Sequence, residues 1–144
     1  MVETWQLKWE TFDFVEGLKE GFNKKYHWYM ILLKKGLGFL QYPELMYIGM
    51  TTNTVSERLL NKHDALMSAL RDFKDRNIVL GLGYIDTRKE LTSSMIKYIE
   101  SAMIAKFKPR LNGSGVTKFV QKGNVNIIST YEKDNSWEVL NWKI

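Results

Sequence analysis

The stretch MIKYIESAMIAKFKPRLN, Met95 to Asn112, limits what this chain can fold into more than any other. Ile96, Ile99, Met103, Ile104 and Phe107 recur at three- and four-residue spacing, which predicts an amphipathic helix. Pro109 stops it, so Phe107 and Lys108 form its last turn. At about 100° per residue, Glu100 falls between Ile96, Ile104 and Phe107. A carboxylate therefore stands in the middle of the face that should be buried. Such a group is rarely buried unless it is paired or bound to a metal.

The elements before it alternate in type. Thr11 to Phe22 reads as a helix capped by Thr11, with Phe14, Val15, Leu18 and Phe22 on one side. Tyr26 to Leu33, YHWYMILL, and Leu45 to Met50, LMYIGM, read as strands, with the loop KKGLGFLQYPE between them. A long helix opens at Thr54 or Ser56 and carries Leu59, Leu66, Leu70 and Phe73 as its apolar stripe. NIVLGLGYID is a third strand, in which Gly81 and Gly83 point to a bulge or a close backbone approach. Thr92 or Ser93 caps the helix of Glu100. After GSG, the segments VTKFVQ and VNIISTY alternate about KGN as a hairpin does, and Trp137 and Trp142 close the chain as an anchor. The expected fold is α/β (α+β): a small, mostly antiparallel three-stranded sheet flanked by helices, with an N-terminal helix and a C-terminal hairpin added. It is one domain, its core at 26–113 and its additions at 1–25 and 114–144.

Charge adds a direction. Residues 1–25 carry a net −1, residues 113–144 a net +1, and residues 26–112 the whole net +5 of the chain. A basic balance confined to one segment is the mark of a phosphate-binding face, or of an ordinary solvated one. There is no cysteine, which excludes disulfides and thiolate metal sites and suits a reducing compartment. The start MVETWQLKWE has neither the basic opening nor the apolar core of a secretory signal, and no apolar run reaches the ~20 residues that span a bilayer. A protein inside the cytoplasm, away from membranes, is expected.

Tyr29 in HWY, Tyr47 in YIG, Arg58 eleven residues later, Glu100, and Asn112 ending KPRLN stand in a fixed order. In that order and spacing the chain resembles the GIY-YIG nuclease superfamily over about residues 26–113. The resemblance implies a divalent-metal-dependent endonuclease acting on DNA. Tyr29 and Tyr47 match the two motif tyrosines that line the pocket, one of which activates the attacking water or helps transfer its proton. Arg58 matches the arginine that steadies the scissile phosphate, and Asn112 the asparagine that braces the site. Glu100 matches the carboxylate that holds one Mg²⁺ or Mn²⁺. Such a site suits phosphodiester hydrolysis, which needs an activated nucleophile, charge neutralisation and help for the leaving oxygen. Lys62, Lys108 and Arg110 are candidate contacts to nucleic acid.

Three departures accompany the match. The first motif reads HWY and lacks the leading glycine. The loop between the tyrosines is long, as in some restriction enzymes of the superfamily. Where many members place a histidine four residues after the arginine, this chain has Lys62, and His63 lies about 140° round the helix from Arg58. Either a one-residue irregularity brings His63 back, or Lys62 takes the role. Arg58 in a first helical turn stands against the helix dipole, as an arginine awaiting phosphate would. Glu100 is then a metal ligand or the partner of a salt bridge to Arg58. A dimer would let so small an enzyme cut both strands, and base recognition would fall to the N-terminal helix, the loop or the C-terminal hairpin. The other readings are an inactive nucleic-acid-binding module with the same fold, and a protein-interaction role for Trp5, Trp9, Trp137 and Trp142.

Overall fold

The computed structural model describes residues 2–35, 42–61, 63–72, 77–86, 91–112, 119–134 and 136–144. Over them the chain forms β1 (Glu3–Asp13), α1 (Phe14–Glu20), β2 (Trp28–Lys35), β3 (Tyr42–Met50), α2 (Val55–Leu60) and α3 (Asp64–Asp72). It continues with β4 (Ile78–Ile85), α4 (Ser93–Phe107), a 3-10 turn (Arg110–Asn112), β5 (Val125–Thr130) and β6 (Trp142–Lys143). The strands make one curled, mixed sheet of six in the order β3-β2-β4-β1-β5-β6, which corrects the expected three-stranded antiparallel sheet.

Both terminal segments are responsible for the difference. The helix expected over Thr11–Phe22 is confined to Phe14–Glu20, and residues 3–13 form the strand between β4 and β5. β1 pairs antiparallel with β4, from Leu7 opposite Ile85 to Asp13 opposite Val79, and parallel with β5, from Glu3 opposite Val125 to Lys8 opposite Thr130. The expected C-terminal hairpin does not form among the described residues. Its second arm is β5, paired to β1 and to the two-residue β6, while Phe119–Lys122 is not strand and residues 116–118 lie outside the described set. The tie is partly chemical: Trp9 donates its indole N–H to Ser129 Oγ at 2.8 Å, and Ser129 donates on to the Leu140 carbonyl at 2.8 Å.

β2 explains why its sequence is apolar without interruption. Trp28, Met30 and Leu32 enter the core layer under α4, together with Leu7, Trp9, Ile99 and Met103. Tyr29, Ile31 and Leu33 enter the opposite layer, with Val55, Leu59, Leu66 and Leu80. A strand covered on both faces loses the alternation of a half-exposed one. Gly83 of β4 provides close approach, with regular pairing to β1, because a Cβ there would sit 2.9 Å from the Trp9 ring. The irregularity lies elsewhere: between β2 and β3 the register slips, leaving Met46 as an extra residue between Tyr47, opposite Ile31, and Leu45, opposite Leu32.

The helices also differ from expectation. α1 begins at Phe14, its preceding residue is Asp13, and it buries Gly17 against Leu80, while Val15 and Phe22 are exposed. The long helix after Thr54 is two helices, α2 and α3. Thr54 caps the first by accepting from the Glu57 N–H at 3.2 Å. Leu59 and Leu66 are buried as the stripe required, and Phe73 and the Leu70 side chain lie outside the described set. α4 is capped by Thr92, whose Oγ1 accepts from the Met95 N–H at 3.2 Å. Its buried arc runs through Ile96, Ile99, Met103, Ala102 and Tyr98, rotated away from Glu100. The cause is Tyr98, whose ring packs on Trp5 and Phe119 at centroid distances of 5.8 and 5.2 Å. Trp9 and Trp142 are buried and Trp5 and Trp137 pack against the same layer, so these tryptophans are core residues and not a shared outer surface. Among the described residues, no helix is long and apolar enough to cross a membrane.

Candidate active site

Tyr29 and Tyr47 point to one face of the sheet because Tyr29 pairs with Gly49 and Ile31 with Tyr47. Gly49 has a clear reason to be glycine. The Tyr29 ring lies across it, and any Cβ there would overlap the phenol carbons and hydroxyl. The YIG triplet thus supplies a tyrosine, an inward isoleucine for the other layer, and a gap for the tyrosine of the neighbouring strand. Tyr29 is fully buried, whereas Tyr47 is partly open.

His63 completes the group. The chain leaves α2 at Asn61 and restarts at Asp64, so the irregularity that moves His63 is a helix break. His63 is the N-cap of α3: its Nδ1 lies 3.1 Å from the Leu66 N–H and its carbonyl accepts from Met67 N–H at 2.9 Å. That position turns Nε2 toward Tyr29 Oη, 2.6 Å away, and sets the ring edge-on to Tyr47, centroids 4.8 Å apart. Lys62, the other candidate for the role, lies outside the described residues.

Arg58 is exposed, and its charge lowers the pKa of both tyrosines against the raising effect of burial. Because α2 has only six residues, Arg58 stands in its last turn, where a cation is favourable. This removes the dipole argument for a phosphate partner, which the expected long helix had supported. Arg58 also borders a depression of about 190 Å³ with Thr51, Asn53, Thr54, Glu57 and Asn61. A larger hollow of about 380 Å³, lined by Trp5, Asp86 and Met95 among others, contains none of the site residues.

Glu100 approaches from α4, which packs against the edge strand β3. Glu100 is half-buried, and the Met50 backbone at the end of β3 favours its ionised form. Among the described residues it makes no direct ion pair with Arg58, although the two charges feel each other. Burial raises the Glu100 carboxyl above the usual carboxylate range, against the lowering influence of Arg58 and Lys97. Burial likewise raises Tyr29, reinforced by Tyr47, and raises Tyr47, reinforced by Glu100. His63 is lowered, first by burial and then by Arg58, so its ring is neutral at neutral pH.

Asn112 does not point into this cluster. Its side-chain Oδ1 accepts from the Ile48 N–H and its Nδ2 donates to the Ile48 carbonyl, both at 2.9 Å. It braces the strand between Tyr47 and Gly49 from the outside. Lys108 and Arg110 are exposed after α4, and Lys108 holds the left-handed backbone conformation, φ 47°, at the helix C-cap.

Sequence reasoning did not foresee the part played by the Ile48 peptide, nor that of the Met50 backbone. The pairing of an asparagine after a proline with an edge strand carries no local signature. Two neighbouring signals were legible: the glycine two residues after Tyr47, and His63 directly before the acid-led DALM.

Among the described residues, no three His, Asp or Glu side chains gather as a metal cluster. The donor set is one half-buried carboxylate whose ionised form its surroundings disfavour. That fits a hard cation which keeps most of its waters and takes its other ligands from phosphate oxygens. It does not fit an ion needing a closed cage of protein ligands. Neither a protein-family model, nor a curated protein, nor a solved structure matches this chain.

Proposed function

We propose that this protein is a divalent-metal-dependent endonuclease of GIY-YIG type that hydrolyses phosphodiester bonds in double-stranded DNA. The observation that supports it is the gathering of Tyr29, Tyr47, Arg58, His63 and Glu100, from two strands, two helices and a helix cap, around one partly open spot. Packing alone gives little reason to place two phenols, an imidazole, a guanidinium and a half-buried carboxylate together.

Each side chain has a task in that reaction. Arg58, exposed and always charged, holds the scissile phosphate and balances charge on its oxygens. Tyr47 is the phenol that water can reach, and it takes the hydrogen bond of the attacking water, while Tyr29 behind it is sealed. Glu100 would hold Mg²⁺ or Mn²⁺, and a bound cation would supply charge neutralisation at the phosphoryl group and help to the leaving oxygen. Asn112 keeps the Tyr47 strand in register. Lys108 and Arg110 extend the basic surface along which a duplex backbone would run.

Since β1 and β5 lie inside the sheet, base recognition falls to exposed connections and not to separate terminal elements. A homodimer would bring two such sites to the two strands, and a cysteine-free chain suits the cytoplasm, where DNA is met.

The test is incubation of the purified protein with supercoiled plasmid and Mg²⁺ or Mn²⁺. Nicked and linear products are expected, and Glu100→Ala should abolish them. Normal DNA binding with no cleavage by the wild type would instead identify a binding module that keeps the fold. Equal cleavage by Glu100→Ala would end the catalytic assignment.

A further inference from the structure

The two ring nitrogens of His63 are both engaged, and one engagement decides the other. Nδ1 faces the Leu66 backbone N–H at 3.1 Å. A backbone N–H can only donate, so Nδ1 must carry its lone pair. In the neutral ring the proton then sits on Nε2, which is 2.6 Å from Tyr29 Oη. The reversed tautomer would set Nδ1–H against Leu66 N–H inside a buried cap, and the His63 carbonyl beside them already accepts from Met67.

We propose that His63 is a fixed hydrogen-bond donor to the Tyr29 hydroxyl, held in the Nε2–H tautomer by the start of α3. The His63 Nε2–H occupies one lone pair of Tyr29 Oη. The one proton of Tyr29 is left free to turn away from His63, and the Tyr47 ring lies on the same face, centroids 6.0 Å apart. The donor direction is therefore His63 to Tyr29. A base at His63 would need the opposite direction and would break the cap of α3. His63 is a positioning residue, and the group it orients is the buried Tyr29 hydroxyl beside Tyr47. The donor direction stands on geometry alone; its consequence for hydrolysis rests on the nuclease reading above.

The chain has two histidines, and the second is a built-in reference. His27 Nδ1 lies 3.0 Å from the Thr51 carbonyl, which can only accept, so His27 carries its proton on Nδ1. Long-range ¹H–¹⁵N spectra of the whole protein, uniformly labelled and at about pH 8, where a neutral imidazole prevails, should show one ring of each tautomer. Loss of the Nε2–H set in His63→Asn assigns it. An Nδ1–H ring, a doubly protonated ring or tautomer averaging at His63 overturns the proposal.

The same variant gives a kinetic readout. Asparagine is a good N-cap and keeps an acceptor for Leu66 N–H, but it is too short to reach Tyr29. His63→Asn should fold and melt close to wild type, leave the KM for plasmid unchanged and lower kcat roughly 10–100-fold. A kcat equal to that of wild type overturns the positioning role. If wild type cuts nothing, the nuclease reading fails, and the tautomer pattern still decides whether His63 is the donor.

Discussion

The side-chain amide of Asn112 meets the peptide of Ile48 in both directions, donor to acceptor, at 2.9 Å each way. β3 is an edge strand, and Ile48 pairs with Met30 on its inner side, so Asn112 stands where the next strand would be. A carboxamide has the same donor and acceptor as a peptide group, which is why asparagine fits there. Asn112→Ala is expected to cost ~1–2 kcal/mol and to loosen the Tyr47 strand. Asn112→Asp should be worse at neutral pH, because one carboxylate oxygen would face the Ile48 carbonyl. Protonation supplies the missing donor, so the folded state raises the pKa of that new acid. Its stability should therefore recover as pH falls toward the carboxylate range. Thermal melts of both variants at about pH 4.5 and 7.5 check this, and a pH-independent Asp variant would contradict it.

Gly49 is fixed by the ring that lies over it. Gly49→Ala is expected to push Tyr29 off the sheet and to cost ~1–3 kcal/mol, the range for overpacking a buried site. The same push breaks the contact between Tyr29 and His63, so plasmid cleavage should fall further than the drop in melting temperature accounts for. Urea titration together with initial cleavage rates separates the two effects. A variant that is destabilised but fully active would show that the tyrosine pair is packing only.

Glu100 is held at a cost to the fold. Its carboxyl is raised above 4.5 by burial, so between that value and its folded pKa the native state binds more protons than the unfolded chain. Stability from this group is therefore present at low pH and lost as pH rises through that window. Glu100→Gln is expected to melt like wild type near pH 4 and to be more stable by ~1 kcal/mol, or ~3 °C, at pH 7.5. Mg²⁺ should raise the melting temperature of wild type and leave that of Glu100→Gln unchanged. Scanning calorimetry across pH, with and without the cation, measures both.

Much of the site could be read from the chain because its parts obey local rules. Glu100 follows from helical spacing, and Tyr29 and Tyr47 from strands that are short, apolar and well bounded. The helix break before His63 could not be read so easily, since Leu59 and Leu66 keep helical spacing across it and only the cap interrupts the backbone. In the N-terminal segment two periods overlap. Trp5, Leu7 and Trp9 alternate as a strand does and all reach one core layer. The run from Thr11 has the residues of a helix, and helix begins only at Phe14. Parallel pairing of β1 with β5 has no local trace at all, because its partners are more than a hundred residues apart. That missing pair also hid the rotation of α4, since Tyr98 turns toward Trp5.

β1 has a second consequence, for how the protein is made. It is the only described bridge between the β3-β2-β4 group and the β5-β6 pair. The strand nearest the N-terminus must therefore wait for β5 before both its edges are satisfied. Contacts of such long separation form slowly, because the closure entropy of the intervening chain is lost before they repay it. Until then β1 offers an apolar edge carrying Trp5, Leu7 and Trp9, and during synthesis this edge is the region most exposed to wrong pairing.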